Sequence, residues 1–147
     1  MQNRRLLIGS ILATSLAFAC IGCANNNAGR MEISGQVTLD GQPVEQGSIS
    51  FIPTGGTRGP VAGGAIVAGK YHIMASQGPV VGKQRVEIRA GRKSGRQIRA
   101  TDFGEEGQVD EMVESVPAKY NTASELMYQV ESGRNLDVDF KLTSSKQ

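Results

Sequence analysis

Tryptophan is absent from this 147-residue chain, histidine occurs once and cysteine twice. Both cysteines, Cys20 and Cys23, lie near the amino terminus, so no internal disulfide can stabilise the rest of the chain. A zinc site needs several histidine or cysteine ligands, and only His72 remains to supply one. The absence of tryptophan also weakens the case for a carbohydrate-binding surface built on exposed rings.

Motifs that hold catalytic groups are missing as well, since the chain has no G-x-S-x-G and no H-E-x-x-H sequence. We therefore interpret His72 as a surface histidine. Asp137 and Asp139 alternate on a predicted strand and share one face, but Ca²⁺ takes about six to eight oxygen ligands. We interpret both as part of a polar outer face. The sequence thus predicts a non-catalytic protein without a metal or a cofactor.

The amino terminus has the order of a secretory signal peptide. Arg4 and Arg5 precede an uncharged, apolar run over residues 6–18, and small residues follow it. A transmembrane helix needs about 20 apolar residues, and this run is shorter. We therefore expect residues 1–22 to be removed during export.

Residues 20–23 read Cys-Ile-Gly-Cys and resemble a bacterial lipobox, in which a small residue precedes a lipidated cysteine. The resemblance implies that Cys23 carries a diacylglycerol and further acyl chains, at the start of a flexible tether over residues 23–30. Cys20 departs from the lipobox pattern, because a branched aliphatic residue usually stands at that position. The alternative lipidated residue is Cys20 itself, preceded by Ala17-Phe18-Ala19. A thioredoxin-like redox pair is disfavoured, since that motif needs a folded helix to lower the thiol pKa.

Lipidation predicts where the protein resides, because two or more acyl chains give stable membrane attachment. Ala24 follows Cys23 in place of the aspartate that commonly retains lipoproteins in the inner membrane. The resemblance therefore favours the outer membrane over the inner one. The expected location is the cell envelope, with the protein facing the periplasm or the exterior.

The charge balance gives no sign of nucleic-acid binding. The formal net charge is +2, from 16 basic and 14 acidic residues. Two of the basic residues, Arg4 and Arg5, belong to the predicted signal peptide, so the remaining chain is balanced. Without a basic excess nothing drives binding to a phosphate backbone.

Beyond residue 30, apolar and polar residues alternate with the period of two that is typical of half-buried strands. The alternation and its turn residues predict a seven-stranded antiparallel β-sandwich. The last strand alternates most clearly, with Leu136, Val138, Phe140 and Leu142 facing inward. Residues 91–116 lack the pattern and are expected to form a long irregular loop. The predicted strands are 33–39, 48–51, 65–67, 70–74, 84–89, 126–130 and 136–142.

A strand and D-G-x-P turn at 33–44, followed by a strand that ends in Phe51, resemble the opening of carboxypeptidase regulatory-like domains. Gly69-Lys70-Tyr71 and Pro79-Val80-Val81-Gly82-Lys83 are similar to later segments of the same family. The resemblance covers residues 31–142. For residues 31–147 it implies a transthyretin-like (prealbumin-like) Greek-key sandwich, related to the immunoglobulin type, and it implies no catalytic residue.

Two blocks of opposite charge follow each other. The sharper interpretation is a contact surface for an anionic envelope polymer or for lipid head groups. The alternative is that both blocks are solvated and partly neutralise each other. The basic block contains Lys83, Arg85, Arg89, Arg92, Lys93, Arg96 and Arg99, and the acidic block contains Asp102, Glu105, Glu106, Asp110, Glu111 and Glu114.

Three functions remain open. The first is a non-catalytic, membrane-anchored module that contacts an envelope protein or polysaccharide through residues 91–116 and exposed sheet edges. The second is a small-ligand or glycan-binding module, which would need a defined pocket. The third is an enzyme, which would need a cluster of titratable groups around His72 in one cleft.

Overall fold

The computed structural model describes residues 29–99 and 107–144. Within these residues there is one 3₁₀ helix, Ala118–Tyr120, and no α-helix. No helix there has the length and apolar character needed to cross a membrane. The ten strands are β1 (Ile33–Leu39), β2 (Gln42–Pro43), β3 (Gln46–Pro53), β4 (Ala62–Val67), β5 (Lys70–Ile73), β6 (Gly82–Arg89), β7 (Gly91–Arg99), β8 (Gln108–Glu114), β9 (Met127–Val130) and β10 (Phe140–Leu142).

The apolar and polar residues that alternate along the predicted strands also alternate between buried and more exposed positions in the structure. On β3, Ile49 and Phe51 are buried while the residues between and beside them are less so. Directly opposite on β6 lie Ile88 and Val86, which are buried too. Because successive side chains of a strand point to opposite faces, each strand contributes one face to a shared core. The prediction of an all-β protein with antiparallel pairing is confirmed.

Eight strands form one hydrogen-bonded sheet that curls into two layers. The strand order is β10-β1-β5-β4-β3-β6-β9, and β2 pairs with β1. Phe51 on β3 and Phe140 on β10 are four strands apart, which is about 19 Å in a flat sheet. Their ring centroids are nevertheless only 6.4 Å apart. The two ends of the sheet therefore face each other, and the bend lies at β4–β5, where Val67 and Lys70 form the single register pair.

A close backbone approach joins the carboxy-terminal segment to β1. A methyl group added to Gly35 would lie 2.0 Å from the carbonyl oxygen of Val138. The same carbonyl accepts a 2.8 Å hydrogen bond from the buried Tyr71 hydroxyl. Only a residue without a side chain lets the two backbones meet at this distance, and the hydroxyl satisfies the buried carbonyl.

Two tight turns have the geometry that their sequences predict. Asp40 and Gly41 have φ values of 51° and 81°, between the paired residues Leu39 and Gln42. Positive φ at both central residues is the property of type I′ turns, which Asp-Gly sequences favour. The Ala68–Gly69 turn joins β4 to β5 with positive φ at both residues, although alanine disfavours it.

The carboxy-terminal strand is shorter than predicted and pairs in the opposite sense. Asp137 has a φ of 57°, which interrupts the extended backbone, so β10 begins at Phe140. Leu136 is 46% exposed, and its expected inward position is wrong. β10 pairs with β1 in parallel, so the sheet is not purely antiparallel.

Residues 91–116 are not the irregular loop that was expected. β7 and β8 pair with each other in antiparallel register and form a separate two-stranded sheet. The prediction failed because these strands bury no side chain and so carry no alternation of apolar residues. With β2 they bring the strands from the seven predicted to ten; residues 100–106 lie outside the described part of the chain.

Candidate interaction surfaces

The predicted signal peptide and both candidate lipidation sites, Cys23 and Cys20, lie outside the described residues. The described chain begins beside the loop before β6. The amide of Met31 donates to the carbonyl of Pro79 at 2.8 Å, and Val81 donates to Gly29 at 3.2 Å. Any tether therefore joins the sheet at the end where β6 begins.

The seven predicted contact cations are divided between two surfaces. Lys83, Arg85 and Arg89 lie on the outer face of β6, which also carries Glu87. Arg85 approaches that carboxylate to 2.6 Å and Arg89 to 3.7 Å. Pairs this exposed add little stability, and the single Glu87 carboxylate offsets only one of the three positive charges.

The other four cations, Arg92, Lys93, Arg96 and Arg99, lie on β7, opposite the acids of β8. Lys93 is 2.5 Å from Asp110, and Arg96 is 3.8 Å from Glu111. The hydrogen bond that Lys93 donates to the Asp110 carboxylate raises the pKa of Lys93. Two members of the basic block are thus paired with the acidic block, whereas the described residues give Arg92 and Arg99 no ion pair.

The hairpin has two faces and two free edges. Ile98 lies opposite Val109, and Arg92 opposite Val113, so one face carries three aliphatic side chains that are partly exposed. The register shifts between Lys93 and Gln97, where β7 bulges. Within the described residues each strand pairs with the other alone, so the outer backbone edges of both lack a strand partner.

A cluster of hydrogen bonds fixes the base of the hairpin. One carboxylate oxygen of Glu114 accepts from the amide of Ala90 at 3.0 Å and from that of Val116 at 3.1 Å. Ser115 donates to the carbonyl of Ala90 through its amide, at 2.8 Å, and its hydroxyl, at 2.7 Å. These charge-assisted and paired bonds orient the hairpin on the sandwich.

A shallow groove of about 710 Å³ crosses the outer face of β1, β5 and β4. His72 lies in it, half exposed as expected, with its Nε2 atom 3.0 Å from Glu32 Oε1. Arg134 donates through Nε to the other carboxylate oxygen at 3.0 Å. Hydrogen bonds from His72 and Arg134 lower the pKa of Glu32.

The groove brings His72 close to a hydroxyl-bearing residue and to a carboxylate. Ser34 lies directly opposite His72 on β1, but the Nε2 atom of the imidazole contacts Glu32. No group of three or more metal-ligating side chains occurs in the described residues. Asp139 accepts from the amide of Gln36 at 2.8 Å, and the φ of 57° at Asp137 interrupts the strand on which both were predicted to share a face.

Sequence reasoning did not single out Glu32, Arg134 or the role of Glu114. Glu32 and Arg134 are 102 positions apart, so only the fold brings them together. Glu114 was counted within the acidic block as one charge among several, because the sequence did not predict the strand that it ends.

Comparison with known proteins identifies no family. No family model and no curated protein matches the chain. A 9R-lipoxygenase from Cyanothece PCC8801 is similar in structure at a TM-score of 0.36 and 13% sequence identity. The match covers 91% of this chain and 18% of the lipoxygenase chain. A similarity this low supports no inference about fold or activity.

Proposed function

We propose that the protein is a non-catalytic lipoprotein whose β-sandwich presents the β7–β8 hairpin to a partner at the cell envelope. The observation that carries the proposal is the hairpin itself, which is fixed at its base, buries no side chain and leaves both edges unpaired in the described chain. A two-stranded ribbon is marginally stable by itself. Binding to a partner would give it the contacts that the sandwich does not supply.

The lipid anchor, the location and the arrangement of the two layers are proposed from the sequence. The lipobox resemblance supports a lipid anchor at Cys23, with Cys20 as the alternative, and an envelope location that favours the outer membrane. The resemblance to carboxypeptidase regulatory-like domains supports a transthyretin-like, Greek-key arrangement of the two layers. The two curled layers are compatible with that arrangement.

Site-specific crosslinking in the native cell tests the contact. A photoreactive amino acid at the exposed Gln97 of β7 should capture one species of defined mass. The same amino acid at the exposed Arg58, in the β3–β4 loop, should not capture it. Arg92→Glu combined with Arg99→Glu should abolish capture and leave the ion pairs of Lys93 and Arg96 in place. Equal capture from both positions, or none from a folded and membrane-bound protein, contradicts the proposal.

Metabolic labelling with palmitate tests the anchor. Cys23→Ala should abolish incorporation and release the protein from membranes, whereas Cys20→Ala should retain both. The reverse result would assign the anchor to Cys20. Labelling that survives both substitutions would contradict a cysteine-linked anchor.

The groove supports a second candidate, binding of a small ligand or glycan. Its walls combine the Glu32–His72–Arg134 cluster with two exposed aliphatic side chains, Val67 and Leu136. A screen of envelope saccharides by ligand-observed NMR tests this function. A ligand whose signal is lost with Arg134→Ala and retained with Arg58→Ala would support it, and a screen without such a ligand would count against it.

A further inference from the structure

The hairpin lies at the opposite end of the sandwich from the tether. β6 begins at Gly82, beside the hydrogen bond between Val81 and Gly29, and ends at Arg89, two residues before β7. Eight residues of extended strand span about 26 Å. The base of the hairpin is therefore one full strand away from the point where the chain arrives.

The two edges of the hairpin differ in their available charge. The β8 acids are engaged, because Asp110 pairs with Lys93, Glu111 with Ser94 and Arg96, and Glu114 with two backbone amides. β7 has four cations and no acid, and within the described residues two of them have no ion pair. Among the described residues the charge without an ion pair is therefore positive and lies along β7, whereas Asp102, Glu105 and Glu106 of the connecting segment lie outside the described part of the chain.

We propose that the outer edge of β7 binds an extended, acidic peptide segment of another envelope protein as an added strand. Unpaired backbone groups supply the hydrogen bonds, and the cations on the face opposite to Ile98, chiefly Arg99, select acidic side chains. The aliphatic face of Ile98, Val109 and Val113 continues across the added strand and accepts its apolar residues. This inference rests on the proposed contact function and gives it a partner class.

A second copy of the chain fits this edge less well. Pairing β7 with β7 would place cations opposite cations, and pairing β8 with β8 would oppose acids. Pairing β7 with β8 of another copy would complement the charges, but it is a head-to-tail contact, which forms a ring or an open filament and not a symmetric dimer. The charge pattern thus opposes symmetric dimers and leaves the β7 edge for a different chain.

Binding of a synthetic peptide to the full-length protein tests the inference. The probe is an eight-residue peptide of alternating glutamate and valine. Its control has the same sequence, with backbone N-methyl groups on two adjacent central residues that block both strand edges. The first peptide should bind, and the methylated one should bind at least about tenfold more weakly, because it keeps the charge but cannot extend the sheet.

Charge-reversal variants test the role of the cations. Arg92→Glu with Arg99→Glu should weaken binding about tenfold at low salt. Arg58→Glu with Lys141→Glu makes the same charge change away from the hairpin and should have no effect. Hydrogen exchange of β7 and β8 in each variant confirms that the hairpin remains formed.

Other outcomes overturn the inference. Equal binding of the methylated peptide means attraction by charge alone. Binding of anionic phosphatidylglycerol vesicles without peptide binding means a membrane surface. If the peptide does not bind but Gln97 crosslinks to a specific partner, the acidic-peptide inference is wrong and the proposed contact function remains. If the peptide binds but no crosslink forms in the cell, the proposed contact function is wrong.

Discussion

Strands β3 and β7 are close in length, eight and nine residues, yet different interactions hold them. β3 pairs along both edges, with β4 and β6, and buries Ile49 and Phe51. β7 pairs in the described chain with β8 alone and buries nothing. The first is stabilised by the hydrophobic effect, and the second by register, ion pairs and the hydrogen bonds of Glu114 and Ser115. We therefore expect the hairpin to open while the sandwich stays folded.

The largest expected difference in stability is between alanine substitutions at Gly35, in the sandwich, and at Gly91, in the hairpin. Gly35→Ala places a methyl group against the rigid backbone of Val138 and should lower the free energy of unfolding by about 3 kcal/mol. Gly91→Ala is the matched change in the hairpin, where the nearest atom is the flexible end of Met112 at 3.2 Å. It should change stability by less than about 0.5 kcal/mol. Urea denaturation measures the free energy of unfolding of both variants. Similar decreases in the two would contradict the expected difference between the sandwich and the hairpin.

Tyr71 should make the stability of the sandwich sensitive to alkaline pH. Burial, followed by the charges of Tyr128 and Asp139, raises the pKa of the Tyr71 hydroxyl above its ordinary value near 10. The pKa of Tyr71 is higher in the folded state than in the unfolded state. The contribution of its protonated hydroxyl to the free energy of unfolding is therefore complete below pH 10 and declines as pH rises further.

Tyr71→Phe should lower stability by about 1–2 kcal/mol at pH 7, because the Val138 carbonyl loses its hydroxyl partner. The stability of the variant should also decline less above pH 10 than that of the unmodified protein. Burial raises the pKa of Tyr128 as well, so some decline should remain. Denaturation curves from pH 7 to pH 11 test this, and an unchanged alkaline slope would show that Tyr71 is not responsible.

Glu114→Ala should loosen the hairpin without affecting the sandwich. Loss of the two bonds to the Ala90 and Val116 amides should lower the free energy of hairpin opening by about 1 kcal/mol. Hydrogen exchange should accelerate in β7 and β8 and stay unchanged in β3 and β6. Gln97→Ala, an exposed change on β7, serves as the control. Equal acceleration in all four strands would mean that the two regions unfold together.

The smallest effect is expected at the turn between β4 and β5. Ala68 has a φ of 48°, which alanine disfavours and asparagine tolerates. Ala68→Asn should raise stability by about 0.5 kcal/mol in the denaturation assay. Ala75→Asn, in a turn without positive φ at that residue, should give no gain. A gain at both positions would assign the effect to the residue type and not to the turn.

The sequence predicts the parts of the fold that depend on local alternation or turn chemistry. Phe140 lies in the core as expected, together with Phe51 and Tyr71 on strands that the alternation predicted, and Asp40 and Gly41 form a tight turn as expected. Leu136 was misplaced because the break at Asp137 accompanies tertiary contacts of Val138 with Ser34 and Tyr71. No neighbouring residue signals those contacts.

The candidate surface was located by its charge, but its structure was not predicted. The basic block indicated residues 91–99, whereas strands exposed on both faces carry no hydrophobic period. Which cations remain unpaired depends on the register that sets Lys93 beside Asp110. That register depends on which backbone groups pair and on the bulge in β7. Neither can be predicted from the order of apolar and polar residues.

The parallel pairing of β10 with β1 has a consequence for the time course of folding. Val37, near the start of the domain, meets Phe140, near the end of the chain. Closing so long a loop is slow, and synthesis delivers the amino terminus first. The core therefore stays open until Phe140 has emerged. Truncation before Phe140 should leave a chain that collapses without completing its core and is retained by chaperones, however intact its other strands are.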